Sequence, residues 1–402
     1  MGAGMADEGS LSHQPLRGIT WGHRRAIDPL VEASRVFAAR HGGRGVEWAV
    51  RDLRAFEHQP LAEAIRDCDL LVFDHPFIGE IAGSGLFLPL DDVLARVPGG
   101  TAEATYAGPS LRSYRWRGKV WGAPVDAATM NAIYRPDLLR SLDCPVPQRW
   151  EEVIALGRAA RRQGLWLGLA NGDHHGFLAA GTLMHNRGAP WTATPEGGLV
   201  FDLDAFAQAL DALDEVLGYA HPDSGHFNSI ALHDAMTTRD DLAYCPLTYG
   251  YATYGEADFG QRRLAFGPFP GLDAPLCAGT LVGGAAVGIT AHCADPEAAR
   301  AYVAFLLQSE TQDGIFASHH GQPATMSAWS DGAIDQAFNG YFSAVGETLQ
   351  HAAIRPRFRG FGRFEKQAGH HVGSYLRKET TRSALLAAMR DLVGATQAQA
   401  VA

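Results

Sequence analysis

The amino-acid sequence predicts an α/β protein built as two lobes, each a mostly parallel sheet covered by helices. Three observations carry this expectation. At 402 residues the chain exceeds what one hydrophobic core usually supports. Its first apolar segments alternate in period as strand, helix, strand, helix, strand, the order that builds parallel sheets. No internal repeat or low-complexity linker separates two beads, so the lobes are expected to exchange segments through crossing strands.

The elements follow in order. Leu16 to Gly22 is a short apolar run ending in glycine, a buried strand reaching a turn. From Ala26 to His41, Ile27, Leu30, Val31, Val36, Phe37 and Ala38 recur at helical spacing, and Gly42-Gly43 stops the helix. Val46 to Val50 alternates as a strand, Pro60 to Arg66 reads as helical, and Asp69 to Phe73 is a third strand. Further on, Lys119–Pro124 and Ala132–Tyr134 read as strands flanking Asp126-Ala127-Ala128-Thr129. Pro147–Gly164 is an amphipathic helix, with Trp150, Val153, Ile154 and Leu156 inward. Leu165–Ala170 is a strand ending in the polar turn 171–175. Helices cover Gly176–Arg187 and Asp204–Leu217, and Asp241–Pro246 is a strand leading to Tyr249 and Tyr251. Leu281–Thr290 is a glycine-punctuated strand. Asp295-Pro296 opens the helix that runs to Ser309, and the last helix spans Ser383–Gly394.

Composition removes several function classes. The net charge is −10 with no long basic block, whereas nucleic-acid binding needs a cationic face. The most basic stretch, Arg355 to Arg363, is interleaved with Phe358 and Phe361 and reads as a solvated surface. No apolar run approaches the ~20 residues of a membrane-spanning helix. The five cysteines include no CxxC pair, so neither a disulfide framework nor a zinc spacing is expected. The segment 1–15 is expected to be flexible. It lacks the basic and apolar regions of a secretory signal, so an upstream signal, a trimmed chain and residence in the cytoplasm all stay open.

Five ordered stretches resemble the family 1 extracellular solute-binding proteins of ATP-binding-cassette (ABC) importers. Asp69 to Leu90 ends in Gly85-Leu86-Phe87-Leu88-Pro89-Leu90, and Tyr114 to Leu139 reads YRWRGKVWGAPVDAATMNAIYRPDLL. Pro145 to Gly164 reads PVPQRWEEVIALGRAARRQG. Gly181–Trp191 is followed by Gly197–Val216, and Gly283 to Ala324 carries GGAAVGIT and Gly321-Gln322-Pro323-Ala324. The resemblance implies a periplasmic-binding-protein-like fold of type II (the maltose-binding-protein type) with a ligand cleft between the lobes. One lobe would comprise 16–125 plus 280–325 and the other 130–275 plus 330–402. Hinge strands would lie near 125–130, 275–280 and 325–330. It also implies a monomer that captures a small sugar-like molecule, works with importer permease subunits if exported, and resides in the periplasm or outside the cell.

A cleft for polyols or sugars needs carboxylates and amides for the hydroxyls and aromatic faces for the C–H patches. The turns at strand ends supply them. Trp21 and His23 close the first strand, with Trp21 as a core residue the alternative. Asp74 and His75 follow the third strand, where a purely structural turn would more often carry glycine or asparagine. Asp126 and Thr129 sit where the chain crosses between lobes, to bond the ligand or to hold the hinge. Asn171, Asp173 and His174 occupy the turn that the resemblance places against a sugar from the second lobe. Tyr249 and Tyr251 match the family's aromatic position, Trp191 is a further aromatic candidate, and Gly283-Gly284 lets backbone approach the ligand. An anionic ligand would require an arginine in the cleft, Arg24 or Arg25. No cofactor or metal is expected, since only spatial coincidence would join His174-His175 to His75 and His23. Two other readings stay open: a cytoplasmic ligand sensor, or a thiaminase-like enzyme on the same fold with Cys245 as nucleophile.

Overall fold

The computed structural model describes residues 14–401 other than Asp173, Pro195 and Ala274. Most of the segment expected to be flexible, as far as residue 13, therefore lies outside the described residues. Strand β1 (Leu16–Trp21) leads into α1 (Arg24–Arg40), β2 (Val46–Arg51), α2 (Leu53–His58) and β3 (Leu70–Phe73). A long strand β4 (Ala123–Tyr134) follows, then α3 (Trp150–Arg162), β5 (Trp166–Leu167), α4 (His175–Asn186), α5 (Leu203–Leu217) and α6 (Ser229–Thr238). The chain continues through β6 (Leu242–Tyr249), β7 (Ala265–Gly267), β8 (Val282–Ile289) and α7 (Pro296–Leu306). It closes with α8 (Tyr341–Gln350), α9 (Phe361–Leu376) and α10 (Arg382–Val401).

The main strands run in the order β2-β1-β3-β8-β4-β6-β5, with β7 also on β4. The first three are parallel, with Leu16 opposite Val46 and Gly18 opposite Leu70. Around the centre the pairing turns antiparallel: β8 runs against both β3 and β4, and β4 runs against β6 and β7. A chain that crosses from one half of the sheet to the other and later returns must run in opposite directions on the two passes. The antiparallel centre and the parallel flanks are thus one consequence of the crossing.

Strand β4 runs through both halves of the sheet. Its first part, Ala123–Thr129, pairs with β8, and its second part, from Met130, pairs with β6. The two strands expected on either side of Asp126–Thr129 are one continuous strand. Residues 123–133 are all buried, and buried backbone groups stay in a ladder unless something else pairs them. The buried apolar residues form one cluster holding Leu30, Val72, Val282 and Phe342, another holding Trp150, Phe177, Leu213 and Phe364, and a smaller third holding Leu71, Phe73, Ile78 and Phe87.

Elsewhere the differences are local. The helix expected over Pro60–Arg66 shortens to Leu61–Ala64. The preceding segment forms α2 instead, because Asp52 Oδ1 accepts from the Ala55 N–H at 2.7 Å and caps it. Helix α6, also unexpected, is capped in the same way by Asn228. The stretch Arg355–Arg363 is only in part a solvated surface. Arg359 and Arg363 are exposed, whereas Arg355, Phe358 and Phe361 are buried, and Phe361 packs on Trp191. All five cysteines are free thiols. Among the described residues no helix is long and apolar enough to cross a membrane.

Candidate functional site

At the carboxyl ends of β1 and β3, where open α/β sheets bind ligands, the halves meet over a small, half-open cavity of about 50 Å³. Trp21 and Asp74 reach it from those strand ends, Phe56 and Glu57 from α2, and Gly283-Gly284 from the start of β8. Across from them stand His174 and His175 at the start of α4, Ser229 at the start of α6, Tyr249 at the end of β6 and Tyr251 just after it. Asp126 on β4 forms part of the wall.

Two buried ion pairs frame the cavity. Arg25, in the first turn of α1, grips Asp126 with Nε to Oδ2 at 2.7 Å and Nη2 to Oδ1 at 2.5 Å. Its remaining nitrogen donates to the Gly250 carbonyl at 2.9 Å, so this one side chain joins α1, β4 and the loop after β6. The guanidinium also lies 4.5 Å from the Tyr251 ring centroid, a cation–π contact. Burial alone would lower the Arg25 pKa, but the Asp126 carboxylate outweighs it and raises it, so the arginine stays charged. Arg355 forms the second pair, donating to Asp74 and, at 3.0 Å, to Glu365. Burial opposes ionisation of Asp74, yet Arg355 and His75 together hold its pKa down at about 2. For Asp126 burial outweighs the Arg25 charge and raises the pKa; both aspartates are nonetheless held in place by their arginines in a dry wall, with lone pairs left for a hydroxyl.

Glycine is required on the facing strand. Gly284 has φ +96°, and a Cβ there would fall 2.2 Å from the Asp126 carbonyl oxygen. A Cβ on Gly283 would strike the Tyr249 ring at 2.7 Å. Tyr249 can therefore lie flat against the strand, its hydroxyl donating to the Val282 carbonyl at 3.4 Å.

Of the residues expected at the site, Trp21, Asp74, Asp126, His174, Tyr249, Tyr251, Gly283 and Gly284 come together around the cavity. Asp173 lies outside the described residues. The others hold the walls from behind. His23 caps α1, its Nδ1 accepting from the Arg25 N–H at 3.0 Å, and its ring packs edge-on against Tyr251. His75 Nε2 accepts from the Arg355 N–H at 3.3 Å. Thr129 meets Thr280, their hydroxyl oxygens 2.8 Å apart, and so fastens β4 to the start of β8. The Asn171 backbone bonds the Ser224 carbonyl, and Trp191 is a core residue packed edge-on against Phe177. His23 and His75 do not join the histidine pair at 174–175; Glu57 does.

Sequence reasoning missed Phe56, Glu57 and Ser229, weighed His175 only as part of a metal pair it set aside, read Arg355 as solvated surface, and named Arg25 only for an anionic ligand. Asp52 directly after a strand was the available signal for α2 and its cavity-facing residues. Nothing local marks Arg355, which reaches its partners across 281 and 10 residues of sequence. Cys245, the thiol considered as a nucleophile, is fully buried in β6, and burial pushes its pKa up to about 12. A thiol in that state is inert.

A family model described as "Bacterial extracellular solute-binding protein" matches residues 54–336. No curated protein sequence matches the chain. Among solved structures the chain is similar to maltose-bound MalE3 of T. maritima, at 15% identity and TM-score 0.78, over 96% of this chain and 99% of that one. A Thermotoga lettingae ABC-transporter solute-binding protein holding alpha-D-tagatose aligns at 16% identity and TM-score 0.79, over 95% and 98%. UgpB from Mycobacterium tuberculosis, in complex with glycerophosphocholine, aligns at 17% identity and TM-score 0.77, over 96% and 99%. At these identities the likeness speaks to the two-lobed fold.

Proposed function

The chain belongs to the bacterial extracellular solute-binding proteins, and from that premise we propose that it captures a small polyol or monosaccharide for an ABC importer. The observation that carries this reading is the cavity wall. Asp74 and Asp126 are each locked by an arginine, and Trp21, Phe56, Tyr249 and Tyr251 supply ring faces beside them. Locked carboxylates favour hydroxyl groups, because a desolvated hydroxyl left without a partner costs about 1–3 kcal/mol. The ring faces suit the C–H patches of a sugar or polyol. The positive charge of both arginines is already taken up by carboxylates, which argues for a neutral solute over an anion.

Size narrows the class. A cavity of about 50 Å³ has room for roughly three to five waters, so the space beside the two locked aspartates suits a small solute, although wider clefts of about 590 and 1130 Å³ also lie between the halves. Entry requires the halves to part, and the solute must favour the closed arrangement to hold them together. The polyol- and sugar-bound neighbours support the same class: one is in complex with ribitol, another with D-mannitol. The family description supports capture outside the cytoplasm and hand-over to a membrane permease.

Calorimetric titration of the folded protein with polyols and monosaccharides tests the reading. Saturable one-to-one binding of at least one is expected. A folded protein that ignores every member of the panel overturns it.

A further inference from the structure

We infer that Glu57, His174 and His175 form a site for a divalent cation of the zinc class, placed between the two halves of the molecule. One ligand atom from each of the three lies within 4.8 Å of the other two. Glu57 Oε2 stands 3.7 Å from His174 Nδ1, and Glu57 Oε1 stands 3.8 Å from His175 Nε2. Tetrahedral zinc with bonds of about 2.0–2.1 Å sets its ligand atoms about 3.3 Å apart. The Glu57 oxygens stand about half an ångström beyond that spacing from each histidine, and the widest pair, at most 4.8 Å apart, closes to it by side-chain rotation of up to about 1.5 Å.

A second observation points to an ion. His174 is only 4% exposed, yet its Nδ1, the atom facing Glu57, has no hydrogen-bond partner. A buried polar atom left this way ordinarily costs about 1–3 kcal/mol, and a metal bond would satisfy it. The rings around it are imidazoles as well. His58 meets His174 edge-on with centroids 4.6 Å apart, and His175 lies at 4.9 Å.

The donor set selects the ion. Two imidazoles and a carboxylate suit zinc and its neighbours, whereas magnesium and calcium prefer oxygen cages. Three protein ligands leave one position open. All three residues line the cavity, so the open position faces the solute. The charge inventory agrees: Arg25 and Arg355 face Asp126, Asp74 and Glu365, and Glu57 adds a further carboxylate to the same interior.

Placement gives the site its consequence. Glu57 belongs to α2, beside the parallel strands, and the histidines open α4 in the other half. An ion held by all three fastens the halves together, so zinc would favour closure by mass action. The inference rests on the closed arrangement of the halves and not on the solute's identity.

The test uses the full chain, stripped with a chelator and titrated with zinc against a competing dye, with no solute present. One tightly bound zinc per chain is expected, at least tenfold weaker in Glu57→Gln and unchanged when the histidine pair on α9, exposed His370 and half-buried His371, is altered by His370→Ala and His371→Ala. Circular dichroism checks folding, and His174→Gln carries the same test if Glu57→Gln does not fold. No zinc bound by the folded wild type overturns the inference, as does zinc that stays equally tight in the altered cluster. Solute titration in chelator reads the proposed function separately.

Discussion

Arg355 shows how much of the site rests on single charged side chains. It is 2% exposed and holds two carboxylates, Asp74 and Glu365, in the interior. Arg355→Met leaves both without their cation, and breaking such a buried pair costs about 3–5 kcal/mol. Urea denaturation should show a loss of that order, together with lost solute binding. Gly284 carries a backbone constraint of similar weight. Gly284→Ala places a methyl against the Asp126 carbonyl at a φ that L residues rarely adopt, and about 1–3 kcal/mol of destabilisation is expected in thermal or urea melts. Buried histidines set the acid limit. Burial, the first cause in each case, lowers His23 to about 3 and His185 and His233 to about 4. In the unfolded chain these rings take up a proton near pH 6.5, while in the folded protein they stay neutral. Unfolding therefore binds more protons below that pH, and stability falls as the pH drops from about 6.5 to 4. The slope is up to about 1.4 kcal/mol per pH unit for each ring. Urea midpoints measured from pH 7 to pH 4.5 check this, and His185→Phe should flatten the slope by one ring's share.

At the scale of elements, β4 separates what the sequence made legible from what it did not. The parallel strands β1 to β3, the helices α3, α4, α5 and α7, and the glycine-rich β8 all declare themselves by period and caps. These are local signals, and local signals survive in a single sequence. The continuity of β4 does not, because Asp126 and Thr129 look like turn residues until Arg25 and Thr280 are present to satisfy them. The candidate site divides the same way. Residues at strand ends were legible as polar or aromatic breaks after apolar runs. Arg355 and the cluster of Glu57 with His174 and His175 exist only through contacts between distant segments. The same contrast predicts dynamics. Amides of residues 123–133, buried along the length of β4, should be among the slowest to exchange with deuterium, and those of the six-residue α2 among the faster. Solute should slow α2 and the start of α4 together, because both face the cavity. Slowing confined to one of them would contradict a shared site.

The whole molecule reads as two sheet halves that share β4 and meet over a cavity too small to admit a solute without opening. Opening breaks the contacts between the halves, such as Arg25 to the Gly250 carbonyl, and a bound solute replaces that loss with its own contacts to both walls. The binding energy and the change of shape are then one event. Small-angle X-ray scattering during titration with the polyol or monosaccharide that calorimetry identifies reads both at once. The radius of gyration should fall saturably, with the same midpoint as the calorimetric curve. A scattering curve that stays unchanged while the solute saturates its site would contradict closure of the halves over a small polar guest.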